Sequence, residues 1–408
     1  MLPSTAGAFA SAQAAWRFYR NPRIDLPSLM SPLLETGRAS LQQDRGPYAL
    51  VMHDWSLLHF GGHKGKADRI TLSQSRDLGY ELQAAVLVSS DHGGPLAPLS
   101  LSLRAADGVH CCSTWKVRSP QSPLDELEPA MKFVEELRLS KPAVHIIDAE
   151  ADSIAHYRSW LRTPGRFFIV RADDRVVQFE GEKRRFSWLL SHLWTNNEFR
   201  RVREFMCRGK KAFQWVAETT VTMTNPARPQ RRDGKPRKSI PGEPVTLRLV
   251  ISQIRWAEAT DAPLVWYLLT NVTPDSDATK ISLWYYWRWK AESYFKLLKT
   301  SGQEIEEWQQ ESAEAITRRL LVASMACVVV WQLAQDQSSE AATLREILIR
   351  LSGRQMKRGC AHTMPALLAG LWALLGTFSI LEDHALSDLK KLAQQVLQFP
   401  RAGPDEAS

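Results

Sequence analysis

Four side chains in the stretch Ile281 to Thr300 have the types and spacing to do chemistry together. Tyr285, Arg288, Glu292 and Lys299 lie at offsets 0, 3, 7 and 14 along the chain. At roughly 100° per residue these fall at roughly 0°, 300°, 340° and 320°, one narrow face of a helix. Trp289 and Lys296 border that face at roughly 40° and 20°. One carboxylate among several cations and aromatics suits a hydrophobic core poorly. Two readings fit. The face is solvated and stitched by i,i+4 pairs such as Glu292–Lys296, or its cations hold phosphates while its acid holds a metal ion. Spacing alone leaves both open.

Other elements must position such a face. Residues 1–45 are patterned as helix. Tyr48-Ala-Leu-Val-Met-His-Asp54 and Ala143-Val-His-Ile-Ile-Asp148 are apolar runs that each end in an acid, as buried strands would. Leu99, Leu101 and Leu103 alternate with polar residues and follow the apolar stretch Leu82 to Val88 across the turn Asp91-His-Gly-Gly-Pro95, which predicts a hairpin. Leu124 to Leu139 and Asp152 to Leu161 read as helices, and Phe167-Phe-Ile-Val-Arg171 as another buried strand. This order predicts a mixed α/β sheet. From about residue 176 polar strands flank the loop Pro226 to Lys238, which carries Arg228, Arg231, Arg232, Lys235, Arg237 and Lys238. That loop reads equally as a solvated tip or a nucleic-acid contact. Helical patterns return from Asp277, including an apolar helix from Ile316 to Leu333.

The pattern Tyr285-x-x-Arg288-x-x-x-Glu292-x6-Lys299 matches the signature of the insertion-sequence-four family of DDE transposases. Asp148-Ala-Glu-Ala-Asp152 is similar to the family segment that bears the second catalytic acid. Trp16-Arg-Phe-Tyr-Arg-Asn-Pro22 resembles the stretch leading into its catalytic domain, and Pro263-Leu-Val-Trp-Tyr-Leu-Leu-Thr270 its strand before the glutamate helix. The resemblance runs from about residue 12 to about residue 335. It implies that Asp54, Asp148 and Glu292 are catalytic acids binding two Mg²⁺ ions, with Mn²⁺ as an alternative. It also implies that Arg171, Tyr285, Arg288 and Lys299, with Trp289 and Lys296 beside them, contact DNA. Trp266 matches the aromatic that receives a flipped base, although taken alone it is a core tryptophan of an apolar strand.

The fold so implied is an RNase H-like mixed sheet flanked by helices, with a β-rich insertion and a C-terminal helical region. Its divisions are a shortened N-terminal helical region at 1–45, catalytic domain at 46–175, insertion at 176–272, catalytic domain completed by the glutamate helix at 273–335, and C-terminal helices at 336–408. The implied activity is cut-and-paste transposition: metal-dependent nicking at a transposon end, a DNA hairpin, its reopening and joining to target DNA. The partners would be double-stranded DNA and a second copy of the chain, in a bacterial cytoplasm or nucleoid. Two departures stand out. Trp55 follows Asp54 where the family has a small hydroxylated residue, and Ala149 replaces an arginine. Because the chain starts inside the family's end-recognition domain, an alternative is a shortened, non-catalytic form that binds and inhibits a full-length partner. A general RNase H-like nuclease is a weaker third reading, since it gives no reason for the Tyr/Arg/Lys face.

Composition narrows the classes further. In 408 residues, 52 Lys+Arg against 44 Asp+Glu give a net charge of +8, and 15 Trp with 44% hydrophobic residues exclude a disordered chain. The basic balance is compatible with a polyanionic partner without establishing one. Five cysteines with no C-x-x-C spacing favour neither a disulfide framework nor a zinc site and suit a reducing compartment. His59-Phe-Gly-Gly-His63 has histidines four apart, but its Gly-Gly centre argues against a metal-binding helix. Cys111 and Cys112 read as strand residues. No G-x-x-x-x-G-K-[ST] is present, so ATP use is not indicated. Gly359 to Leu381 lacks Lys, Arg, Asp and Glu, but Pro365, Gly370, Gly376 and its polar residues favour a buried helix over a membrane span.

Overall fold

A computed structural model describes residues 8–397 apart from 75, 114–122, 208, 228–237, 259–261 and 301–302. Most of the basic loop, including Arg228, Arg231, Arg232, Lys235 and Arg237, therefore lies outside the described residues. Helices α1 (Ala8–Arg20) and α2 (Leu26–Gln43) precede the sheet, α2 starting where the Asp25 carboxylate accepts the Ser28 N–H. Strands β1 (Ala49–His59), β2 (Ile70–Thr71), β3 (Leu78–Ser89), β4 (Pro95–Ala105) and β5 (Gly108–Cys111) follow. Then come α3 (Leu127–Glu136), β6 (Ala143–Ile147), α4 (Ile154–Leu161) and β7 (Phe167–Ala172). The next stretch holds β8 (Val176–Phe179), β9 (Glu182–Arg185), α5 (Phe186–Thr195), β10 (Arg200–Cys207), β11 (Lys210–Met223), β12 (Val245–Trp256) and β13 (Leu264–Thr270). The chain ends in α6 (Ala278–Tyr286), α7 (Trp289–Lys299), α8 (Ala313–Gln335), α9 (Ser339–Leu351), α10 (Met364–Asp383) and α11 (Leu386–Leu397).

All thirteen described strands form one mixed α/β sheet, in the order β5-β4-β3-β1-β6-β7-β13-β12-β11-β8-β9, with β2 on β3 and β10 on β11. Pairing of β1 with β6 and of β6 with β7 is parallel, and the other pairings are antiparallel. The strands of the 176–272 stretch extend this sheet through the β13–β7 pairing instead of forming a separate one. Helices α7 and α8 cover one face, where Leu50, Met52, Ile146, Tyr294, Leu298 and Leu320 pack together. On the opposite face α3, α4 and α5 bury Met131, Trp160 and Leu189 against Ile147, Phe168 and Val170.

One sequence expectation is met and two need correction. The hairpin expected across Asp91–Pro95 is present as the antiparallel β3–β4 pair, in which Ser100 and Ser102 are as buried as Leu99, Leu101 and Leu103. Helices cover both faces there, and Ser102 Oγ donates to the buried Glu126 carboxylate. The glutamate helix is not continuous from 281 to 300 but breaks at Trp287–Arg288. The segment Gly359 to Leu381 is only partly buried: α10 begins at Met364 under the N-cap of Thr363, and while Ala366, Leu367 and Leu368 are covered, Leu375, Phe378, Ile380 and Leu381 are exposed. By length and composition α10 is one helix that could cross a membrane, with 28% of its apolar window buried.

Candidate active site

Register places the two aspartates side by side. Met52 of β1 pairs with Ile146 of β6, so the same parallel register two residues on sets Asp54 opposite Asp148. The β1–β6 pairing stops at Met52 and Ile146 because β6 ends at Ile147; β1, expected to end at Asp54, runs on to His59 against β3, so Asp148 follows a strand's carboxyl end while Asp54 sits mid-strand. Open α/β sheets bind ligands at the carboxyl ends of parallel strands such as β6. Ile147 pairs with Val170, which brings Arg171 of β7 beside Asp148. Alternation then sends Asp54 toward α7 with Leu50 and Met52, while His53 points to the other face and meets His145 at 2.9 Å.

Helix α7 brings the third acid. Around the break, Arg288 N–H donates to Tyr285 O, Lys290 N–H to Trp287 O and Ala291 N–H to Arg288 O, a tightening to three-residue turns. Tyr285, Arg288 and Glu292 stay on the side facing Asp54 and Asp148. The Arg288 guanidinium then reaches all three acids. Nη1 lies 2.8 Å from Asp54 Oδ2, and Nη2 lies 3.2 Å from Asp148 Oδ2 and 2.9 Å from Glu292 Oε1. Asp148 Oδ1 further accepts from Arg171 Nε at 2.7 Å, from Tyr285 Oη at 3.1 Å and from the Ala149 N–H at 2.7 Å. Asp54 Oδ1 accepts the Trp55 N–H at 3.0 Å.

Burial sets the electrostatics. The Arg288 side chain is 7% exposed, Asp54 15%, Asp148 25% and Glu292 54%. Desolvation pushes the Asp54 carboxyl up to about 6; the Arg288 charge and Trp55 N–H oppose this, and the charges of Glu292 and Asp148 add to it. Burial works against the charge on Arg288, yet Asp54, Asp148, Tyr285 and Glu292 hold its pKa above the ordinary value. The Tyr285 phenol is raised by burial and by the Asp148 charge, so it stays a hydrogen-bond donor.

The other sequence-derived residues surround this centre without joining it. Lys299 Nζ donates to Leu57 O at 2.6 Å and lies 3.4 Å from Glu306, which fastens α7 along β1. Lys296 is exposed on α7, and Glu292 pairs with Arg288 and not with Lys296. Trp289 is 48% exposed and stacks on Tyr286 at 5.9 Å. Trp266 is half-buried on β13, edge-on to Tyr285 at 5.4 Å and 6.4 Å from Tyr286. Tyr286 and Arg203, neither singled out from sequence, complete this ledge: the Arg203 guanidinium lies 4.4 Å from the Tyr286 ring and 4.3 Å from Phe205. The signal available was the run Arg200-Arg-Val-Arg-Glu-Phe205, three arginines closed by one aromatic.

Three hard carboxylates are the donor set that Mg²⁺ or Mn²⁺ prefers. The Arg288 Nε, buried without a partner, shows that the guanidinium is incompletely satisfied where it sits. As a donor set the three acids suit a divalent cation; in this structure the Arg288 guanidinium occupies the space between them. Among the described residues a tighter trio, with ligand atoms within 4.8 Å of one another, is formed by Asp68, Asp107 and His110. There both Asp68 oxygens are already engaged, by Tyr80 Oη at 2.5 Å and by the Ala313 N–H at 2.6 Å, so Asp68 serves the start of α8. His59 and His63 lie at a strand end and a turn, and the cysteines 111, 112, 207, 327 and 360 are free thiols. Compared with known proteins, the chain matches no protein-family model and no curated protein at a significant level.

Proposed function

We propose that the chain is a DDE transposase similar to the insertion-sequence-four family, with an RNase H-like core, that cuts and joins DNA at transposon ends. The observation carrying this reading is that Asp54, Asp148 and Glu292, from three elements far apart in sequence, meet at one guanidinium. Asp54 within β1, Asp148 just past the end of β6 and Glu292 on a crossing helix would hold two Mg²⁺ or Mn²⁺ ions, which when bound supply an activated water and stabilise the leaving oxygen.

The chain's own groups do the rest. Arg171 and Arg288 are positively charged beside the acids and hold phosphate oxygens of the scissile strand, fixing its orientation without reading its sequence. Tyr285, kept protonated, donates to the acid or to phosphate. Lys296 and Lys299 continue the backbone contacts along α7. Trp266, Tyr286 and Trp289 offer ring faces on which an unstacked terminal base can rest, at a cost of a few kcal/mol to the duplex. A 3′-hydroxyl freed by nicking then attacks the opposite strand, giving a hairpin that water reopens before the end joins target DNA. A second copy of the chain on the DNA and a cytoplasmic, nucleoid-associated location belong to the same proposal.

The test uses a plasmid bearing the DNA that borders the chain's gene on both sides, where the proposal expects inverted repeats. With Mg²⁺ the protein produces nicks and hairpins at the repeat ends, and Asp148→Ala lowers their rate by 10³-fold or more. Identical products from the variant reject the assignment.

A further inference from the structure

We propose that Arg288 is a resident counter-ion of the three acids, and that divalent metal binds by displacing its guanidinium toward DNA phosphate. The inference rests on the transposase reading for the identity of the metal and the DNA. Its own ground is geometric. One guanidinium lies within 3.2 Å of Asp54, Asp148 and Glu292, with its side chain 7% exposed. Three carboxylates gathered around one point repel one another, and a cation in their midst offsets that repulsion. Arginine cannot shed its charge by losing a proton, so the positive charge leaves only if the side chain moves.

Two observations mark the posture as one the side chain can leave. Nε is buried without a partner, so withdrawal costs no hydrogen bond at that atom. Arg288 also sits in the tightened turn between α6 and α7, where the helical ladder is already interrupted. A cation about 4 Å from a guanidinium meets strong repulsion at protein-interior dielectric. Metal and guanidinium therefore exclude each other from the same acids.

Arg288 is thus a positioning residue with two stations. Without metal it neutralises and spaces the carboxylates. With metal it is released to a phosphate oxygen, so metal and DNA promote each other's binding. Reciprocity follows, since any factor by which DNA tightens Mg²⁺ is the factor by which Mg²⁺ tightens DNA.

The experiment is a Mg²⁺ titration by calorimetry of the full chain, as wild type, Arg288→Gln and Arg288→Lys, with and without a short duplex in which the cleavage site is blocked. Arg288→Gln is expected to bind Mg²⁺ at least tenfold more tightly than wild type without DNA, with Arg288→Lys between them. Duplex tightens Mg²⁺ binding several-fold in wild type and much less in Arg288→Gln. If Arg288→Gln unfolds in chelator, thermal unfolding substitutes: its Mg²⁺-induced rise in Tm exceeds that of wild type. A merely structural arginine gives Mg²⁺ affinity and Tm increments no larger in the variant than in wild type, and that result overturns the proposal. Asp148-dependent DNA cleavage with unchanged Mg²⁺ affinity in Arg288→Gln would keep the transposase reading and remove the counter-ion. Tighter Mg²⁺ binding with no such cleavage by wild type would do the reverse.

Discussion

Asp54 shows how one residue can be held against its own preference by the surroundings that make it useful. Its folded pKa of about 6 exceeds the ordinary 3.8, chiefly through burial. The folded state therefore binds a proton that the unfolded chain has released, and folding weakens as pH rises from about 4 through about 6. Each unit corresponds to about 1.4 kcal/mol, so the loss at neutral pH is on the order of 2–3 kcal/mol at most. Asp54→Asn removes the ionisation and keeps an oxygen toward Arg288. It should raise Tm by a few degrees at pH 7–8 and by nothing near pH 4, measured by calorimetry across that range. An equal difference at both pH values would sink the argument. At this scale the sequence was informative: each aspartate closes an apolar run and the glutamate sits among Tyr, Arg and Lys. What a helical wheel lacks is the identity of the group opposite, so the meeting of Arg288 with all three acids was not legible.

At the scale of elements, the break between α6 and α7 aims Tyr285, Arg288 and Glu292 at the two aspartates on β1 and beyond β6. Neither Gly nor Pro marks it, which is why periodicity alone predicted one unbroken helix. Its neighbour in space is the β3–β4 turn. Gly93 there has φ +69°, and a Cβ on it would meet the Trp287 ring at 2.3–2.6 Å. The turn itself was legible from Asp91-His-Gly-Gly-Pro95, but its long-range partner was not. Gly93→Ala combines left-handed strain with overlap on an indole, and should cost about 2–4 kcal/mol. In a Trp287→Leu background only the backbone strain remains, about 1 kcal/mol. Denaturant unfolding of the wild type, the two single variants and the double variant should thus give a coupling above about 1 kcal/mol. Strict additivity would mean that the turn does not seat Trp287, and with it the break.

The whole molecule places its site by long-range pairing that local patterns do not encode. Strands beyond residue 176 were recognisable as strands. That β13 would pair with β7, and so carry Trp266 to Tyr285, depends on which buried faces match across the sheet. The same holds for the N-terminal helices, which read as helical but gave no sign of their anchor. That anchor is Arg318 on α8, 1% exposed, whose Nε donates to Ile24 O at 2.7 Å and whose Nη1 donates to Tyr19 O at 2.9 Å. Its Nη2 pairs with Glu314 at 2.5 Å. A buried guanidinium that satisfies two carbonyls fixes the end of α1 and the link to α2 against the helix that spans the core. Arg318→Met keeps much of the volume but orphans both carbonyls, a cost of about 2–4 kcal/mol. Because the lost bonds lie at one edge, local opening should exceed global destabilisation. Trypsin should cut after Arg17, Arg20 or Arg23 at least tenfold faster in the variant under native conditions, while cleavage within the sheet rises less. Equal rates at the N-terminal sites would show that α1 is held by its packing on α8 alone.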